Sequence, residues 1–212
     1  MSNTLGTLMV CALAFLATAC STTSSVPEGD QLYVGLKQIE YDDCEMSDHY
    51  YSTQEEVEAA LATAPNGAFF GSSYHRTIPY KLWIWNAFQN SEGKLGKWIA
   101  KTFGNAPVLM SWVNPQLRAS VAQSVLRNHG YLGGTVGFEV ETQKNPKKAK
   151  ILYKVAMNQL SLIDTVEYAN FPAVADSLIL ATRDQALIGP GKPFNVATLD
   201  AERSRLSALF RN

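Results

Sequence analysis

Cysteine is scarce in this sequence: Cys11, Cys20 and Cys44 are the three in 212 residues. Cys11 falls within an apolar N-terminal run and Cys20 ends the small-residue stretch that follows it. Cys44 is therefore left without a partner for an intramolecular disulfide, even in an oxidising compartment. Histidine is equally sparse, and the scattered His49, His75 and His129 give no Ser–His–Asp arrangement to argue from. Neither sign of charge dominates, with 18 Lys and Arg against 19 Asp and Glu, which argues against a general nucleic-acid binder. Beyond Cys20 no apolar run reaches the roughly 20 residues of a membrane-spanning helix. The basic head of a secretory signal is missing too, since the first nineteen residues hold no Lys or Arg.

What is present at the N-terminus is a short apolar run, Leu8 to Leu16, too short to span a bilayer as a helix. It closes in Leu16-Ala17-Thr18-Ala19-Cys20, a small-residue cleavage site ending in cysteine, which reads as a bacterial lipoprotein signal. Residues 1–19 are then the signal peptide, and Cys20 becomes the first mature residue and carries lipid. Ala17 stands where Leu, Val or Ile is usual, and an ordinary cleaved signal or a buried apolar helix is the competing reading. Ser21 to Ser25 favours lipidation, because a polar, structureless stretch suits a tether, expected over residues 20–30. Several acyl chains on one cysteine satisfy the two-signal requirement for stable anchoring.

The remaining chain, with 46% hydrophobic residues overall, has the length of one or two domains. Asn114-Pro115 opens the clearest helix, with Asn as cap and Pro in the first turn. Leu117, Val121 and Val125 recur at helical spacing beside Ala122 and Leu126, and Gly130 supplies a left-handed stop. Next, Val136, Phe138 and Val140 alternate with Thr135, Gly137, Glu139 and Glu141, the pattern of a half-buried strand. Lys144 to Lys147 turns the chain into a second strand carrying Ile151, Tyr153, Val155 and Met157. Two short segments occur twice in the same order: Leu36–Tyr41 resembles Ile163–Tyr168, and Ala122–Asn128 resembles Leu206–Asn212. A strand-then-helix module repeated in this way is expected to carry an insertion of about residues 65–113 in its first copy. The second copy ends early, which is expected to leave Leu206, Leu209 and Phe210 with an exposed apolar face.

Strand, two helices and a hairpin behind a membrane anchor resemble polypeptide-transport-associated (POTRA) domains. The strings Val26-Pro27-Glu28-Gly29, Ile39-Glu40-Tyr41, Pro65-Asn66-Gly67, Gly71-Ser72-Ser73, Leu82–Phe88, Val113-Asn114-Pro115, Leu126–Tyr131 and Gly191-Lys192-Pro193-Phe194 sharpen the likeness. As a set they resemble TamL-like lipoproteins of the BamA/TamA outer-membrane protein assembly superfamily. The resemblance implies an α+β fold: a POTRA-like β-α-α-β-β domain over residues 31–158 with a helical insertion, then a partial second module over residues 159–212. It also implies a C-terminal barrel that this sequence does not contain, and a lipid-anchored outer-membrane location with the soluble part in the periplasm. The implied partners are unfolded outer-membrane proteins and a TamB-like or other assembly partner. The implied activity is binding rather than catalysis, with no cofactor, no metal and no nucleic acid.

Strand addition to an exposed sheet edge is the physical route for such binding. The strand bearing Val136, Phe138 and Val140 is the candidate edge; the competing reading is that it only closes the domain, with its Glu residues discouraging pairing. In the insertion, Leu95, Trp98, Ile99, Thr102 and Phe103 fall on one helical face and Lys94, Lys97 and Lys101 on another. Lys94, Lys97, Trp98, Lys101 and Phe103 thus form a possible membrane or partner surface. The rival expectation makes these aromatics, with Trp83, Trp85 and Phe88, the extra core of an elaborated domain. Two further readings stand open: a structural envelope lipoprotein that scaffolds a periplasmic complex, and a thiol or metal enzyme using Cys44 and His49. The second lacks a matching pair of zinc ligands. Gly189-Pro190-Gly191-Lys192 has the wrong spacing for a phosphate loop and reads as the approach to a helix capped by Thr198.

Overall fold

The computed structural model describes residues 22–42 and 46–211, so Cys20 and Cys44 lie outside the described residues. In chain order the elements are β1 (Leu32–Tyr41), α1 (Asp48–Leu61), α2 (Tyr80–Phe88), α3 (Lys94–Phe103) and the single turn α4 (Met110–Val113). They are followed by α5 (Pro115–Asn128), β2 (Thr135–Thr142), β3 (Lys148–Ala156), α6 (Ala173–Ala181) and α7 (Val196–Leu209). The class is α+β, as expected, with one three-stranded sheet in the order β1-β3-β2.

Local chemistry accounts for the boundaries. The Leu117 N–H donates to Asn114 Oδ1 at 3.1 Å, capping α5, and Gly130 ends that region at φ 91°. Asn145 organises the hairpin turn, accepting from the Lys147 N–H through its side chain at 3.0 Å. Gln143 N–H then donates to Lys148 O at 2.8 Å and closes the ladder between β2 and β3. At one end of β1 the Leu32 N–H donates to Lys147 O, and just past the other end the Asp42 N–H donates to Val155 O. β1 and β3 therefore run parallel, which requires the long crossover that α1 to α5 supply.

The chain divides into two compact units. The first takes the described part of Met1–Glu40 together with Leu61–Arg118 and Phe138–Tyr153. Val26, Leu32, Val34, Leu82 and Leu109 form a buried cluster there. Leu32 and Val34 share a strand face through their i, i+2 spacing, while Leu82 and Leu109 come from the insertion. Val26 falls in the segment expected as a tether, yet it is only 5% exposed, and the neighbouring Ser25 hydroxyl donates to the Asn86 side chain on α2. Asp30 likewise accepts from the Ser111 hydroxyl. The chain is thus held against the insertion from about Thr23 onward. Asn66, buried at the insertion's start, draws its two ends together. It donates to Ala106 O at 2.8 Å and accepts from the Val108 N–H at 2.7 Å.

The second unit comprises the described parts of Tyr41–Ala60, Ala119–Gly137 and Lys154–Asn212. Tyr50, Val57, Ala119, Ala122, Leu126, Tyr131, Val155 and Met157 are buried in it. The apolar stripe expected on α5 is corrected here: Leu117 and Val121 are exposed, and the face carrying Ala119, Ala122 and Leu126 is the buried one. Residues 163–168, expected as a second strand, form none. Their neighbourhood makes only a short antiparallel pairing, with Ile163 N–H donating to Lys192 O and Phe194 N–H to Ser161 O. The cap of α7 is Asn195 rather than Thr198, its side chain accepting from the Thr198 N–H at 3.0 Å. Phe210 is exposed as expected, whereas Leu206 and Leu209 are half-buried, and Val174 and Leu180 on α6 are more exposed than Phe210.

Candidate functional site

A three-stranded sheet has two edges, and this one treats them differently. The β1 edge is covered within the first unit by the insertion. Tyr33 N–H donates to Val108 O, Met110 N–H to Gln31 O and Leu36 N–H to Ser73 O, each at 2.8 Å. Gly35 makes the last approach feasible: at φ 112° it has no side chain, and a Cβ there would stand 2.6 Å from Ser73 O. The opposite edge is β2. From the Gln143–Lys148 bond, antiparallel alternation turns the backbone groups of odd-numbered β2 residues toward β3 and those of even-numbered residues outward. Val136, Phe138 and Val140 are thus among the residues whose N–H and C=O face away from the sheet. Among the described residues no loop backbone bonds to them.

Their side chains suit the same surface. Val136 and Phe138 are half-buried and Val140 is 40% exposed. Val140 also lines an open groove of about 780 Å³ shared with residues 27–31, Met110, Ser111, Asn114 and Pro115. Of the two acids that could repel a client strand, Glu141 is engaged by Lys37 of β1, and that hydrogen bond raises the Lys37 pKa. Glu139 stays exposed.

The insertion presents a second surface. α3 packs on α2 through Gly96 and Ala100, with Gly104 following at the same four-residue spacing. A Cβ on Gly104 would collide with Ala100 O and lie 3.0 Å from Trp85 Cα, so the two helices approach by their backbones. That seam leaves the aromatic face of α3 outside. Trp98 is 55% exposed and Phe103 about as much, the two rings meeting edge-to-face at 5.6 Å. Lys94, Lys97 and Lys101 are exposed beside them. The expectation that Trp98 and Phe103 form extra core is therefore corrected. Trp83 and Trp85 are half-buried.

Two aromatics that the sequence reading passed over stand at a loop tip nearby in sequence. Phe69 and Phe70 stack edge-to-face at 4.5 Å, and Phe70 is 94% exposed at φ 47° and ψ 38°. The loop is nevertheless braced, by Phe69 N–H to His75 O at 2.9 Å and Thr77 N–H to Gly67 O at 2.7 Å. Their signal in the sequence is a pair of aromatics between Gly67 and Gly71, punctuation that marks a turn.

Of the two residues of the enzyme reading, His49 falls in the second unit and Cys44 lies outside the described residues. His49 Nε2 donates to His129 O at 2.7 Å, and His129 Nε2 pairs with Glu56 at 3.0 Å. His49 also lines a cleft of about 650 Å³ with Asp48, Tyr131, Asn158 and Gln159. Among the described residues no group of three or more His, Cys, Asp or Glu is placed to hold a metal ion. No described helix is long and apolar enough to cross a membrane. Searches of family models, curated proteins and solved structures give no match to this chain.

Proposed function

We propose that this chain is the periplasmic POTRA region of a lipid-anchored outer-membrane protein assembly or translocation factor, and that it receives unfolded barrel clients as a strand added to β2. The observation that carries the reading is the asymmetry of the sheet: the insertion covers the β1 edge, while β2 turns the backbone of Val136, Phe138 and Val140 outward. The order β1-α1-α5-β2-β3 with strand arrangement β1-β3-β2 supports a POTRA-like module elaborated by residues 65–113. Residues 159–212 are read as belonging to a second module of the same kind.

In this mechanism an extended client exchanges main-chain hydrogen bonds with β2, and its alternate apolar side chains lie against Val136, Phe138 and Val140. The groove beside Val140 takes the client's continuation. Such pairing is tolerant of sequence, because the backbone supplies most of the contact. Cys20 keeps the module at the membrane where clients arrive, and a TamB-like or other assembly partner would act with it.

A photoreactive phenylalanine analogue at position 138 tests this in cells. Adducts with outer-membrane barrel precursors are expected. Val140→Pro removes one outward donor and leaves the β2–β3 ladder intact. It should lower adduct yield about fivefold, the worth of one hydrogen bond of about 1 kcal/mol. Glu139→Pro removes an inward donor and should instead unfold the hairpin. Undiminished adducts in a folded Val140→Pro protein, or adducts with folded envelope proteins alone, overturn the reading in favour of a scaffold.

A further inference from the structure

We infer that the inserted segment, residues 65–113, is a docking surface for an anionic lipid bilayer, seated through Trp98 and Phe103 of α3 and the Phe69–Phe70 tip. Three independent features of the chain converge on it. The first is charge. Five of the chain's 18 basic residues but only one of its 19 acidic residues, Glu92, fall in this segment. The insertion is thus clearly basic although the remainder of the chain is acidic. α3 itself carries Lys94, Lys97 and Lys101 and no acid.

The second feature is the chemistry left uncovered. α3 buries its Gly96–Ala100 seam, so both its lysines and its aromatic side chains face outward. Lysines flanking a tryptophan and a phenylalanine suit the boundary between headgroups and acyl chains, where the ammonium groups meet phosphate and the rings enter the apolar edge. The Phe69–Phe70 tip adds a wedge of the same kind. A non-glycine residue held at positive φ with its ring in water is strained, and the braced loop keeps it there.

The third feature is reach. Ser25 is hydrogen-bonded to Asn86 on α2, and Val26 is buried against Leu82 of the same helix. Ser25 lies five positions on from Cys20, a stretch that spans at most about 18 Å when fully extended. A lipid on Cys20 therefore holds Ser25, and with it the point where it meets Asn86 of the insertion, close to that distance from the bilayer. This argument alone rests on the lipidated-Cys20 reading; charge and exposure do not depend on it.

The test uses the mature chain from residue 20 with Cys20→Ser, so that no lipid contributes, and measures co-sedimentation with two sets of vesicles. One set is phosphatidylcholine alone, the other phosphatidylcholine with about one third phosphatidylglycerol, whose headgroups give the surface a negative potential. Binding to the anionic set is expected, with tryptophan emission shifted to the blue. Charge reversal at Lys94, Lys97 and Lys101 together should weaken it roughly 100-fold or more. Trp98→Ala and Phe70→Ser should each weaken it without altering the circular dichroism. Equal affinity for both vesicle sets, no binding to either, or binding indifferent to the lysines overturns the inference. So does a photoreactive group at position 98 that captures a protein in place of lipid. Palmitate labelling of Cys20 in cells is scored separately: a chain that binds vesicles but takes no label keeps this surface and loses the anchor reading.

Discussion

Glu202 shows how far the setting of one residue can depart from its local pattern. Within α7 it reads as an ordinary solvated helix charge, but it is 2% exposed. Its carboxylate accepts from Arg205 at 2.7 and 2.9 Å, from the Tyr168 hydroxyl at 3.0 Å and from the Leu187 N–H at 3.0 Å. The Arg205 hydrogen bonds outweigh desolvation and, with the other donors, hold its pKa at about 2 instead of 4.5. The folded value is the lower one, so the stabilisation is complete above about pH 4.5 and is lost as pH falls toward 2. Glu202→Gln is expected to cost about 3 kcal/mol at pH 7 by leaving Arg205 unmatched. In urea titrations the gap between the two proteins should close between pH 4.5 and pH 2; a gap independent of pH contradicts this account. The sequence signals the Asn114 cap and the Gly130 stop because each acts within one helical turn. It is silent on Glu202, whose burial depends on Tyr168 and Leu187 returning over α7.

Among the elements, α3 separates pattern from outcome. Its periodicity places aromatics on one face and lysines on another, and both faces are where that pattern puts them. Which face is buried is a separate matter, settled by the small residues Gly96, Ala100 and Gly104 that admit α2 closely. Gly104→Ala should therefore destabilise by about 2 kcal/mol, through overpacking against Trp85 and Ala100. Hydrogen exchange in α3 should rise more than exchange in β3; an unchanged α3 would sink the explanation. Alternation marks β2 clearly, since an edge strand keeps one wet face. It fails for Leu32 to Leu36 of β1, where successive residues are all buried, because the insertion covers the strand from outside. Residues 163–168 resemble Leu36–Tyr41 of β1 without becoming a strand, since a strand needs a partner of matching length and Lys192 to Phe194 supply only a short one.

At the scale of the molecule, the N-terminal segment changes meaning most. By composition Ser21 to Ser25 reads as a flexible leash, within the tether expected over residues 20–30. Val26, however, completes a cluster with Leu32, Val34, Leu82 and Leu109. Val26→Ala should lower stability by about 1–2 kcal/mol in a denaturant titration, whereas the same change in a free tether would leave it within about 0.5 kcal/mol. A silent substitution would restore the leash. The same insertion that anchors this segment also closes the β1 edge and exposes Trp98 and Phe103. Class, hairpin, the Asn114 cap and the apolar face of β2 were legible from residues a few positions apart, since propensity, capping and side-chain alternation act over that range. Long-range contacts alone chose which sheet edge stays open, which aromatic face meets solvent and whether Val26 is free. Each of those outcomes depends on which distant segment arrives to cover a surface, and no local pattern records that.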